Sequence, residues 1–231
     1  MLATQRQSAT ATSPSYQEAV YSQTYSRCRE SRDVFHGNLF LRIDATELLR
    51  LYANGQRQFS WISMQGACLA GADLRGIQFN NVDLSGVDFS DVDLRGAAFT
   101  EALLVHANFS KANLSCVDLL EAQLAWANFS EASLKGINLS WANLMEANLR
   151  GADLSYAQCQ RAQMSGVNLS EANLTAAVLQ GAYLICADLL DADLTDADFS
   201  WSNCLDANFG SAKLDDTNLT GANLTGTNLK V

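Results

Sequence analysis

Histidine and proline are almost missing from this sequence: there are two of the first, His36 and His106, and one of the second, Pro14. The two histidines lie in different regions, and no nucleophile elbow, phosphate loop or metal-ligand spacing accompanies them. The expectation is a protein with no catalytic residue, no metal and no cofactor. Six cysteines show no CxxC or zinc spacing, which argues against a disulfide framework or a metal centre. No stretch is long enough to span a membrane, and the N-terminus lacks the apolar run of a signal peptide. A cytoplasmic protein without membrane insertion is therefore expected. Basic residues are also scarce, 15 Lys and Arg against 25 Asp and Glu for a net charge of −10. That balance disfavours direct binding to nucleic acid or to an anionic membrane surface.

Apolar residues are present in quantity and in register. From Arg57 to Val231 the chain divides into 35 consecutive five-residue units without insertion or deletion. The third position of every unit is Leu, Phe, Met or Cys, beginning at Phe59, Met64 and Leu69 and ending at Leu224 and Leu229. A small residue, most often Ala, stands two positions earlier, Asn or Asp usually lies between, and Ser, Thr or Gly follow. A period of five is neither the 3.6 of a helix nor the 2 of a strand, and fixed-period self-similarity marks a stacked repeat. Phe59, Phe79 and Phe99 are 20 apart, as are Phe89, Phe109 and Phe129. A coil of 20 residues would set each trio in a ladder, on opposite faces, with rings meeting rings. Cys159 and Cys204 fall on inward centres, where a thiol behaves as a small hydrophobe. A reducing compartment suits them.

The units AlaAsnLeuSerGlu and AlaAspLeuArgGly resemble those of the pentapeptide-repeat proteins, and the likeness covers three quarters of the chain. The resemblance implies an all-β solenoid: a right-handed quadrilateral β-helix, four units per coil, about nine coils long, with Ala and Leu positions turned inward. The run LeuLeuArgLeuTyrAlaAsnGlyGlnArgGlnPhe ahead of the repeats is similar to the N-terminal caps of cyanobacterial members, one of which regulates heterocyst differentiation by binding protein. By that analogy the partner is part of the light-harvesting machinery or a developmental regulator.

Ahead of the repeats, three segments are expected: an N-terminal extension over 1–37, a helical cap over 38–56, and the repeat over 57–231. Ser13, Pro14 and Ser15 read as a helix entry, with Ser15 and Glu18 as a capping box. Tyr16, Val20, Tyr21 and Tyr25 recur at helical spacing, followed by Arg27, Arg29 and Arg32. Tyr16, Tyr21, Tyr25, Arg27 and Arg29 are the candidate contacts of this tail. Packing on its own rod, hooking a partner and remaining disordered are all open. Val34 to Ile43 carries a Gly-Asn turn signal and then an alternation that suggests a short strand. Asp44 with Glu47 forms a second capping signature, Leu48, Leu49, Leu51 and Tyr52 follow, and Gly55 is a helix stop. An open solenoid end needs a lid, and this helix should lie across the first coil. At the other end the repeat runs in register to Leu229. A second copy forming a homodimer, another partner, or the Asn and Thr residues of the last turns would cover that coil.

Four faces follow from the coil, numbered from centres 59, 64, 69 and 74 and recurring every 20. Leaving Arg57 aside, each face sums to −3. Some pentapeptide proteins mimic DNA and bind type II topoisomerases through an acidic rod, so topoisomerase binding is the alternative function. Those relatives typically end in a helical dimer module, which has no counterpart here. Apolar residues are less evenly placed. Face two carries Leu103, Val105, Trp126, Met145, Tyr183, Ile185 and Leu205 outward, and face one adds Trp61, Trp141 and Trp201. Contiguous apolar surface and exposed aromatics mark interaction sites. The expected function is a non-catalytic protein–protein interaction module, an adaptor, regulator or assembly subunit, that binds another protein through these residues and the tail. Sealing of the repeat's own surface by the same residues is the competing reading.

Overall fold

The computed structural model describes residues 32–35 and 38–229, with side chains described from Phe40 onward. The tail candidates Tyr16, Tyr21, Tyr25, Arg27 and Arg29 lie outside the described residues. Strand β1, Arg32–Phe35, pairs antiparallel with β2, Asn38–Arg42, through Arg32↔Leu41 to Phe35↔Asn38. Helix α1, Ala45–Ala53, follows. Its N-cap is Asp44, whose Oδ1 accepts from the Glu47 N–H at 2.8 Å, supplying one of the partners that a first helical turn lacks. Leu48 and Leu51 are buried in the same apolar cluster as Phe59 and Met64, so the helix lies across the first coil. The Tyr52 hydroxyl donates to the Arg75 carbonyl at 2.9 Å, and the Arg57 guanidinium sits 3.8 Å over the Tyr52 ring. Gly55, at φ +93°, turns the chain out of the helix.

Strand β3, Gln58–Ser60, pairs in parallel with β5, Gln78–Asn80, while β4, Ile62–Ser63, pairs in parallel with β2. The hairpin thus adds two rungs to the start of face two. From there on, extended strand gives way to single parallel bridges, all between residues 20 apart, from Ser63↔Asp83 to Asn203↔Asn223. The reason is local. Each unit offers one bridging residue, such as Asp83, whose N–H donates to Ile62 O at 2.9 Å and whose C=O accepts from Met64 N at 2.8 Å. Two residues after the centre the backbone turns left-handed, as at Glu121 (φ 59°) and Asp191 (φ 58°), and ends the ladder.

Asp and Asn interchange before the centre because their Oδ1 has one constant task. It accepts from the N–H two residues on, as Asp88 does from Ser90 at 3.0 Å and Asn128 from Ser130 at 3.1 Å, closing an Asx turn. At most places where Asn lies above Asp or Asn, its Nδ2 also donates to the Oδ1 of the preceding coil. Asn108, Asn128 and Asn148 continue such a ladder from Asp88 at 2.9–3.1 Å.

Inside, the phenylalanines stack as their spacing requires. Ring centroids are 5.8 and 5.3 Å apart along Phe59, Phe79 and Phe99, and 5.0 and 4.8 Å apart along Phe89, Phe109 and Phe129. Phe99 meets Phe89 and Phe109 edge-on at 6.2 and 6.4 Å, so the two ladders face each other across the core. In the last turns Leu214, Leu219, Leu224 and Leu229 are only half-buried. Polar residues there complete part of the bonding: Asn228 Oδ1 accepts from Phe209 N at 2.7 Å, and Thr217 Oγ1 donates to Leu194 O at 2.7 Å.

Candidate protein-binding face

Side chains reach solvent from three positions of each unit: the residue before the centre, the one after it, and the left-handed corner. On face two the position after the centre forms the column Val105, Ala125, Met145, Ser165, Ile185 and Leu205, with coils about 4.8 Å apart. Met145 is exposed, Val105, Ile185 and Leu205 are half-buried, and Ala125 is buried. Leu103 and Tyr183 stand in the neighbouring column, the first half-buried and the second exposed. Trp126, 52% exposed, rises from the far corner and stacks on His106 at 5.2 Å.

Two groups result. Leu103, Val105, His106, Trp126 and Met145 occupy consecutive coils, and Tyr183, Ile185 and Leu205 gather nearer the C-terminal end. Trp141 borders the first group and Trp201, 68% exposed, the second, both from the corner shared with face one. Trp61 stands apart from both, against the Phe40 ring at 6.1 Å. Between the groups the Arg161 guanidinium covers Trp141 at 4.8 Å. Glu146 lies over Gly166, where an added Cβ would meet its carboxylate at 2.7 Å. Trp201 lies in the same way over Gly221. The large corner side chains are thus laid along the rod rather than standing free of it.

Tyr156, 56% exposed, and Leu190 on faces four and three were not singled out by the sequence pattern, because no other large apolar residue shares their columns. Lys135 reaches the Tyr156 ring at 5.6 Å.

All the acidic residues of the repeat except Asp215 fall into two classes. All nine Asp residues before a centre accept the N–H two residues on. Hydrogen bonds from the Arg75 side chain and backbone hold the Asp73 carboxyl down at about 2, and those from Thr195 and Lys213 do the same to Asp193. Asp93 is likewise lowered, chiefly by Arg95, and Asp88 by the Ser90 N–H. Ten others, Asp91, Glu101, Glu121, Glu131, Glu146, Glu171, Asp191, Asp196, Asp206 and Asp216, project exposed from corners. Burial pushes the Cys159 thiol up to about 12, consistent with an inert core residue. Among the described residues no group of three or more His, Cys, Asp or Glu could hold a metal ion, and no helix is long and apolar enough to cross a membrane.

The profile of the pentapeptide repeat region matches residues 72–149, and that of pentapeptide repeats in eight copies matches 132–170, 172–203 and 202–230. This chain belongs to the pentapeptide-repeat family. It has the family's solenoid fold. Among solved structures it is similar to HetL, a pentapeptide-repeat protein involved in heterocyst differentiation regulation from the cyanobacterium Nostoc sp. strain PCC 7120. Identity is 31%, over 80% of this chain and 96% of that one, with a TM-score of 0.37. Rfr23 from the cyanobacterium Cyanothece 51142 is 28% identical over 57% of this chain and 92% of its own, with a TM-score of 0.35. QnrB1, a plasmid-mediated fluoroquinolone resistance protein, is 21% identical over 75% and 92%, with a TM-score of 0.45. No curated protein matches the chain.

Proposed function

We propose that this pentapeptide-repeat protein is a protein–protein interaction module that receives its partner on face two and the corner it shares with face one. The finer architecture belongs to the same reading: a right-handed, four-sided helix of about nine coils, capped over 38–56 and preceded by an extension. So do a cytoplasmic location and pairing of two copies through the half-buried ring of Leu214, Leu219, Leu224 and Leu229.

The distribution of exposed apolar bulk supports the reading. Of nine large hydrophobic residues exposed among the described residues, six border face two: Trp61, Trp126, Trp141, Met145, Tyr183 and Trp201. No Lys or Arg belongs to that face's units. Aromatic anchors within an acidic rim suit a partner whose own contact is apolar and basic-edged. The test is affinity purification from the native host with Ile185→Asp on face two and Tyr156→Asp on face four. Loss of the same captured protein from the first alone supports the assignment; loss from both, or from neither, ends it.

A second reading is the acidic DNA mimic that binds a type II topoisomerase. It is supported by the ten corner carboxylates, which face solvent free of the Asx-turn role that occupies nine of the others. Purified protein would then inhibit or protect the enzyme in a supercoiling assay, with an effect that weakens as salt rises. No effect at low salt excludes it.

A further inference from the structure

We infer that a partner protein seats one aromatic side chain, carried between basic residues, over Gly181, where it stacks between Arg161 and Trp201. This rests on the assignment of face two and its corner with face one as the binding surface, and names the chemistry of the residue that anchors there.

The column at that corner runs Trp141, Arg161, Gly181, Trp201 and Gly221, each 20 residues from the last. Trp141 and Trp201 both stand at φ 61° and Arg161 at φ 56°, so their side chains leave the rod from equivalent places on their coils. The Arg161 guanidinium stacks on Trp141 at 4.8 Å. A Cβ added at Gly181 would meet Arg161 Cγ at 3.5 Å and no other atom within 4 Å. Gly221 differs, since the Trp201 ring already lies over it and would meet such a Cβ at 2.6 Å. The tier between Arg161 and Trp201 is therefore left open by the chain itself. Trp201, at 68%, is also the most exposed large hydrophobic residue among those described.

The opening has the size of one ring. Trp141 and Trp201 are three coils apart, about 14 Å. Arg161 takes 4.8 Å of that on Trp141, which leaves about 10 Å between its guanidinium and Trp201. A flat ring halfway would lie about 5 Å from each, inside the range of cation–π contact on one side and ring stacking on the other. The buried Phe columns of this rod use the same interval, 4.8–5.8 Å.

The surroundings define the ring's carrier. The tier is an open ledge, on which a free small molecule would stay largely in water. A ring on a protein segment gains further contact with Tyr183 and Ile185, exposed and half-buried on the adjoining face. The units of faces one and two hold seven acidic residues and, beyond Arg57, one base, Arg161, already engaged on Trp141. Lys or Arg on either side of the ring complements that field.

The test uses the full chain and three synthetic peptides: Lys-Lys-Trp-Lys-Lys, and the same with Leu or Ala at the centre. Peptide-observed NMR titration, with saturation transfer to the peptide ring, should show the Trp peptide binding about tenfold more tightly than the Ala peptide, with Leu between. Gly181→Trp fills the tier from within, and the corners at Trp61, Trp126, Trp141 and Trp201 already hold Trp at φ 58–61°. It should erase the preference, so that Trp and Ala peptides bind alike, whereas Gly151→Trp at another corner should leave it unchanged. Trp201→Ala and Arg161→Gln, which leave the backbone alone, should each cut the preference about threefold. Equal affinity for the Trp and Ala peptides, no binding at millimolar peptide, or a preference that survives Gly181→Trp or both of the last two variants overturns the inference. Each of these results leaves intact an Ile185 dependence seen in host-protein capture, so this failure is distinguishable from failure of the face assignment.

Discussion

Phe109 is the residue whose replacement reports most directly on the stacked interior. It is fully buried, and its ring lies 5.0 Å from Phe89 and 4.8 Å from Phe129, near-parallel to both, with an edge contact to Phe99 at 6.4 Å. Phe109→Ala removes the ring from a column whose coils are fixed by hydrogen bonds above and below, so the site has little freedom to collapse. The cost should fall in the upper part of the usual range, about 3–5 kcal/mol. Phe109→Leu tests the same site with a residue the column already accepts at 149, 169 and 189. It forfeits two ring pairs, each worth about 0.5–1.5 kcal/mol, while keeping most of the buried area, and should cost about 1–3 kcal/mol. Urea unfolding followed by far-ultraviolet circular dichroism measures both. Because stability in a repeat array is a sum of neighbour contacts, the Ala variant should also broaden or split the transition. An Ala cost below about 1 kcal/mol, or a Leu cost equal to it, would refute a dry, rigid aromatic ladder.

Two further outcomes follow from the corners and the Asx turns. Gly221→Ala should destabilise, because φ is +72° and the new Cβ would meet the Trp201 ring at 2.6 Å. Trp201→Ala in the same chain should recover most of the loss in a double-mutant cycle by chemical denaturation, since many corners hold side chains at positive φ; an unchanged cost would place the strain in the backbone alone. Asp73, Asp88, Asp93 and Asp193 all titrate below the ordinary 3.8. Lowered folded-state values mean stabilisation that is complete above about pH 4 and is lost as pH falls toward about 2. Thermal unfolding between pH 5 and pH 2 should show Tm falling within that window, most steeply at low salt; a flat Tm would contradict the bonding described for these carboxylates.

Much of this was legible in the sequence for one reason: the period places like residues above like. The Phe ladders, the inward position of Cys159 and the cap formed by Asp44 on Glu47 are each set by backbone register, and register is what a repeat displays. The short reach of the β-structure was less legible, because the resemblance to a β-helix does not say that each coil side holds a single bridging residue. Surface contacts were the least legible. Nothing in the order of residues reveals that Arg161 covers Trp141, that Phe40 meets Trp61, or that Ala125 is buried in the middle of the apolar column. Those facts depend on rotamers meeting across coils. Tyr156 is hidden for a different reason: Gly136 and Ala176 flank it, so its column offers no apolar pattern.

The claim that face two is a surface for binding rather than a seal for the rod is tested by one double variant, Trp126→Ala with Ile185→Asp, assayed for partner capture and for unfolding on the same preparation. The account predicts capture lost with stability within about 1 kcal/mol of the unmodified protein. Capture retained, or a stability loss of several kcal/mol, would show that these side chains serve the fold and would contradict it.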